Sequence, residues 1–357
     1  MAVIFKICKL SFLIMLTIVF TSQAKAQSLS KKWFPGHYLY TDSETMDGVM
    51  LESKRDLVKN NPNFTGYHVR YYWRALESEK GVYDFTIIEE DLKTAKADGK
   101  KLIVHIHDRD HRGRKISVPD YLTTDPIYEG GDYRPYAATA QRYKYMPKLW
   151  VPAVADRWGE LLMAFGKKFD QDSTLAYVCM EETSLNDSKD QPGFSSSRLR
   201  DAYKVIYTAA AKALPTTIFS QYANWAGGLE REDADDMMAH LAAFGHGLGG
   251  PDALVGRRPF DGVTSLGALD NWFGVYCKLY KGVIPITSSS QAPTYKANNP
   301  LKVLNYAVNE LGSNFMSWAP VTKEQQEGNL YGIDEVIEVI NAENGRINKV
   351  PPLSIIK

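Results

Sequence analysis

The sequence predicts a single closed (β/α)8 barrel, an α/β fold, on three observations. Eight short strand-like runs recur along the chain, helical patterns lie between most of them, and nothing between Trp33 and Pro352 has the composition of a linker. Strands separated by helices require a parallel sheet, and eight such alternations close it. In order, the runs are 37–40, 66–73, 101–107, 175–180, 217–220, a weak run near 244–248, 283–286 and 314–318. The runs at 66–73 and 101–107 are dense in the aromatic and β-branched residues that suit a pleated surface. Amphipathic helical patterns cover Met46–Lys59, Ile87–Asp98, Val151–Phe169, Ser197–Ala213, Glu230–Ala243, Leu266–Tyr280 and Pro300–Leu311, and Gly332–Asn341 completes the ring. One connection exceeds what a barrel needs: residues 108–149, after the third strand, carry six tyrosines and no clear helix. A loop that long and that aromatic is functional rather than disordered, and it emerges on the face where barrel enzymes place their sites. It either stacks on a ligand or packs a small core of its own.

The first 26 residues have the layout of a secretory signal peptide. Lys6 and Lys9 precede an apolar stretch from Leu10 to Phe20, and Ala24-Lys25-Ala26 offers small residues for cleavage after Ala26. The mature chain, 27–357, is then expected to be exported, secreted or periplasmic, without a membrane span. Forty-two basic residues balance forty-two acidic ones, which gives no reason to expect a nucleic-acid partner. Cys179 and Cys277 remain after cleavage and are expected as buried free thiols. There is no phosphate-binding P-loop and no Gly-x-Ser-x-Gly elbow, which removes nucleotide-binding and α/β-type serine hydrolase readings.

Residues 70–85 carry the most specific motif. Arg70-Tyr71-Tyr72-Trp73 ends a strand, Glu77 and Gly81 sit in a charged turn, and Tyr83-Asp84-Phe85 precedes a helix. This arrangement resembles the second strand and loop of (β/α)8 glycoside hydrolases of the large retaining-glycosidase clan. There a Trp, a Glu and a Gly-x-Tyr-Asp-Phe run lie under the sugar cleft. The resemblance implies an enzyme acting on an oligo- or polysaccharide, with no cofactor and no metal.

In that clan the fourth strand ends in Asn-Glu, whose Glu is the acid/base. Here the run reads Cys179-Met180-Glu181-Glu182, so Glu182 falls on the acid and Glu181 takes the place of Asn. The chemically bland reading is one exposed loop acid and one helix-capping acid. The clan's second carboxylate belongs to the seventh strand, yet residues 282–291 contain no acid. An inverting pair across a gap of roughly 6.5–9.5 Å, with Asp252 or Asp108 as the base, a displaced strand register, or a cleft that only binds would each account for this. Arg70, by resemblance, supports the strand-end carboxylates; Trp318 matches the tryptophan flooring the sugar site, and Trp73 and Trp225 are further platforms.

His105 and His107 alternate on the third strand and so share a face. A His-x-His on a barrel strand occurs in metal-dependent amidohydrolases, but those carry it on the first strand. Here the later strands add only His246 and Asp252, so contacts to sugar hydroxyls, or satisfied polar groups at the barrel mouth, are preferred. The stretch 245–252, with four glycines, reads as backbone close to a ligand or as a plain turn, and it places His246 and Asp252 at the cleft. Gln291, at the end of strand seven, completes the sugar-positioning set. A polysaccharide lyase and a non-catalytic carbohydrate-binding barrel are the rival readings.

Overall fold

The computed structural model describes residues 29–357 apart from 43–49, 112, 114–115, 138–140, 224–227, 252, 254–271, 291–298 and 326–329. The expected signal peptide, Trp225, Asp252 and Gln291 lie outside the described residues. Eight parallel strands close on themselves: β1 (Gly36–Tyr40), β2 (Phe64–Tyr72), β3 (Lys101–His107), β4 (Leu175–Met180), β5 (Ile218–Tyr222), β6 (Gly247–Gly250), β7 (Ile286–Ser290) and β8 (Phe315–Trp318). Closure is the pairing of the first strand with the last, Gly36 opposite Phe315 through Leu39 opposite Trp318. The predicted (β/α)8 barrel is the observed fold.

Helices α1 (Thr86–Ala97), α2 (Pro152–Phe169), α3 (Ser196–Ala213), α4 (Arg231–Ala243), α5 (Trp272–Tyr280), α6 (Pro300–Asn305) and α7 (Ile333–Ala342) follow β2 through β8 in turn. A π-helical stretch, Tyr306–Leu311, extends α6. After β1 the described residues contain only a short turn of helix, Glu52–Arg55, where a longer helix from Met46 was expected. Among the described residues no helix is long and apolar enough to cross a membrane.

The apolar interior has two parts, set by strand parity. Tyr38, Ile103, Tyr177, Cys179, Ile218, Tyr222 and Phe315 form the smaller cluster, inside the barrel. The rings of Tyr177 on β4 and Phe315 on β8 meet at 5.1 Å across the bore, and Trp33 seals the lower end edge-on to Phe315 at 5.3 Å. Alternate residues such as Val69, Val104, Val178, Phe219 and Met316 belong to the larger shell between strands and helices. Cys179 and Cys277 are both buried and free.

Two strands differ from the sequence reading. The seventh was expected on the apolar run 283–286, but Val283 is 39% exposed and the strand is the polar Ile286–Ser290. Apolar runs signal strands of a buried parallel sheet; this strand is instead buried with three of its four hydroxyls paired. Thr287 Oγ1 lies 2.6 Å from Ser220 Oγ, Ser288 bonds Ser313, and Ser289 Oγ donates to the carbonyl of Pro251 at 2.8 Å. The sixth strand is Gly247–Gly250, and Gly249 and Gly250 make room for neighbouring rings. A Cβ on Gly249 would stand 2.2 Å from the Tyr222 ring, and one on Gly250 would stand 2.5 Å from Phe273.

The described residues of 108–149 fold on themselves. A short helix (Asp120–Thr124) and two small antiparallel ladders (Asp132–Tyr133 with Met146–Pro147, Tyr136–Ala137 with Arg142–Tyr143) enclose buried Leu122, Tyr128, Tyr133 and Met146. Tyr136 and Tyr143 stay half or more exposed and pair edge to face at 5.1 Å.

The motif at 70–85 is a structural knot. Trp73 is fully buried against Trp158, and its Nε1 donates to Glu77 at 2.8 Å. The fully buried Glu77 also accepts from the Gly81 amide at 2.9 Å and from Arg157 of α2, which donates to Tyr83 and Tyr121 as well. Trp73, expected as a sugar platform, thus fastens the β2 loop to α2. Removing one partner of a buried ion pair strands the other, at about 3–5 kcal/mol. Glu77→Ala should lower the urea midpoint by that free energy with an unchanged denaturant slope; a wild-type midpoint would show that the knot holds nothing.

Candidate active site at the barrel mouth

The inward positions change character toward the C-terminal ends of the strands. Above the aromatic plug, β2 contributes His68, Arg70 and Tyr72, β3 His105 and His107, and the end of β4 Glu181. The register that sets Cys179 beside His105 places Glu181, two residues on, level with His107. Glu181 Oε2 lies 2.6 Å from His107 Nε2 and 3.1 Å from His105 Nε2, and all three residues are at most 5% exposed. Behind them His105 Nδ1 meets His68 Nε2 at 3.1 Å, and His68 Nδ1 meets Ser317 Oγ at 2.8 Å. A polar column therefore runs from β8 through the bore to the mouth.

Burial opposes charge on Glu181, yet the facing His107 and then His105 outweigh it and hold its pKa well below the ordinary carboxylate range. Burial pulls His107 down to about 4 despite Glu181 beside it.

Glu182 follows Glu181 but is only half-buried. Its carboxylate, that of Glu181 and the ring of His111 bring one donor atom each within 4.8 Å of one another. The two adjacent acids therefore converge, although strand alternation would send them apart. The chain turns there because Arg109 pins it: Arg109 donates to the backbone carbonyls of Glu182 and of Ser184, the latter at 3.2 Å. Lys144 faces Glu182; burial lowers its pKa, Glu182 raises it, and Asn186 Oδ1 holds its ammonium at 3.0 Å.

Several expected residues have other employment. Asp108 is wholly buried, bonded to Arg109 at 2.7 and 3.1 Å and to Trp158 Nε1 at 3.0 Å, and so is no free base. Arg109 stands in a run of charged residues, 108–115, whose composition suits a solvated loop start, yet it is fully buried. Arg70 reaches the mouth, but its partner is Asp42 at 2.9 Å rather than a β4 carboxylate, and it lies over the Tyr40 ring. Trp318 points into the outer shell, donating to His37 Nδ1 at 3.1 Å, so it floors no cleft. His246 lies among Tyr207, Phe219 and Phe244, bonded to the Tyr207 carbonyl at 2.8 Å, away from the mouth. Sequence reasoning missed Asp42, whose Oδ1 is buried without a hydrogen-bond partner among the described residues. Its only sequence signal was an acid just after the first predicted strand.

No family model matches the chain, and no curated protein matches it. Solved structures do match. The catalytic domain of β-amylase from Paenibacillus polymyxa aligns at a TM-score of 0.60 and 10% identity, over 89% of this chain and 100% of that one. Endoglycoceramidase II from Rhodococcus sp. aligns at 0.56 and 14%, over 88% and 79%. An exo-β-1,4-mannosidase from Opitutaceae bacterium strain TAV5 aligns at 0.52 and 14%, over 87% and 60%. At such identities the likeness is one of fold.

The two histidines of the outer shell dictate a response to acid. Burial lowers His37 to about 4 and His246 to about 3, each bonded as a neutral ring. The unfolded chain takes up these protons near pH 6.5 while the folded one does not, so stability is full above about pH 6.5 and is lost as pH falls through 4. Urea unfolding between pH 7 and 4 should show this decline, and His246→Gln should make it shallower. An identical slope in the variant would count against His246 as a source.

Proposed function

We propose that the chain is a glycoside hydrolase whose barrel mouth cleaves an oligo- or polysaccharide, with Glu182 as the general acid. The observation that carries this reading is the convergence of Glu182 and Glu181 at the C-terminal end of β4, one reachable by substrate and the other buried and ionised. A proton donor must touch the leaving oxygen, and of the two acids Glu182 is the accessible one. Glu181 stands beside it, facing His105 and His107, and Arg109 fixes the backbone that carries both. The exposed pair Tyr136 and Tyr143 offers faces on which sugar rings stack. The fold likeness to a β-amylase, an endoglycoceramidase and a mannosidase supports the same substrate class. The described part of β7 ends in serines, so the reading includes no β7 nucleophile.

Export belongs to the same proposal, with residues 1–26 as a cleaved signal peptide; sequencing the N-terminus of protein recovered outside the cytosol should read Gln27 first. The catalytic test is a glycan panel scored for new reducing ends. Glu182→Gln should lose activity by about 10²–10⁴-fold, the usual contribution of a positioned acid, while still binding glycan. Release by wild type that is equal in the variant would remove Glu182 from the chemistry. Binding with no release from any glycan would replace the hydrolase by a sugar-binding barrel.

A further inference from the structure

Three buried atoms at the mouth converge without satisfying one another. His105 Nε2, His107 Nε2 and Glu181 Oε2 are each sealed from solvent, and none makes an aligned hydrogen bond among the described residues. Yet both nitrogens stand within 3.1 Å of that oxygen. Buried polar atoms are ordinarily paired, and here three unpaired ones share one point in space.

The residues behind them explain the orientation. With its proton on Nδ1, His105 donates to His68 Nε2, and His68 donates in turn from Nδ1 to Ser317 Oγ. That order leaves the His105 Nε2 lone pair directed at the mouth, as in histidines that ligate metals through one nitrogen while the other is held from behind. The opposite order would place an N–H at Nε2 with Glu181 as acceptor, and the ring is not aimed to make that bond. His111 Nε2 is a fourth buried, unpaired donor atom, beside Glu181 and Glu182. The alternative trio His68, His105 and Cys179 is weaker, because His68 Nε2, 3.9 Å from the thiol, already faces His105.

We propose that His105, His107 and Glu181 bind one divalent transition-metal ion of the zinc type, with a further position open toward His111 and Glu182. Two imidazoles and a carboxylate suit zinc and its neighbours, whereas magnesium and calcium take oxygen ligands. Ligands at bond lengths of about 2.0–2.2 Å in tetrahedral array stand roughly 3.3 Å apart. The observed 3.1 Å nearly meets this, and a small carboxylate rotation opens the 2.6 Å contact. The site does not depend on the glycosidase reading: it needs neither Glu182 nor turnover.

The test uses tag-free, chelator-stripped full-length protein titrated with zinc chloride by calorimetry and with cobalt(II) by visible absorption. The expected result is one ion per chain, with the intense ligand-field bands of low-coordinate cobalt and no thiolate charge-transfer band. His107→Ala and the near-isosteric Glu181→Gln should abolish it, and His240→Gln, on the outer surface, should leave it intact. His68→Gln should weaken binding by about 10–100-fold, as loss of the group behind a ligand does. The proposal is overturned if the wild type takes up neither ion, or if both site variants, folded by circular dichroism, bind as the wild type does. A thiolate band would move the ion to Cys179 and would equally overturn it.

Discussion

The ion pair between Asp108 and Arg109, neighbours in sequence and both fully buried, holds the working end of the barrel together. Burying two charges is costly unless every remaining hydrogen-bonding group finds a partner. Here Trp158 of α2 completes the carboxylate, and the carbonyls of Glu182 and Ser184 receive the rest of the guanidinium. The pair thereby couples the end of β3 to the end of β4 and to the helix outside them. The placement of both β4 acids depends on this coupling: it converts the sharp end of a strand into a turn that keeps two consecutive carboxylates on one side.

The barrel's interior follows a gradient that the pairing rules permit but do not demand. Below, aromatic rings fill the bore as in any packed core; above, histidines, serines and carboxylates replace them. A polar bore is stable to the extent that its groups satisfy one another; the His68–Ser317 and Ser220–Thr287 pairs do so, while the atoms at the mouth do not. Of β7, Thr287 bonds Ser220 and Ser288 bonds Ser313, so a strand without a hydrophobic pattern lies fully buried with most of its hydroxyls paired.

The barrel was legible in the sequence because alternation of strand and helix is a long-range regularity that survives local errors. Strands rich in valine, isoleucine and tyrosine declared themselves at 66–73 and 101–107. The polar β7 and the glycine β6 did not, since their burial is secured by hydrogen bonds and by rings from other strands. In the site, His105, His107, Glu181 and Glu182 were legible as residues at strand ends. Their mutual arrangement was not, because it depends on Arg109, whose charge in a run of charges looked like solvent-facing loop. His246 and Trp318 misled for the converse reason: parity along short strands decides inside from outside, and one residue of register sends a side chain to the other shell. The Glu77 knot was recognised as a motif while its role was mislocated, since a pattern of residue types records neither burial nor partners.

Closure of the barrel has a temporal side. The seam joins Gly36–Tyr40 to Phe315–Trp318, and Trp33 can seal the lower end only once Phe315 has arrived. Contacts so distant along the chain are slow to form, and during synthesis they must wait until Phe315–Trp318 has appeared. Until then β1 keeps one unpaired edge, with a row of open amides and carbonyls. The barrel thus stays unsealed until that strand is in place, and Phe315–Trp318 acts as its latch.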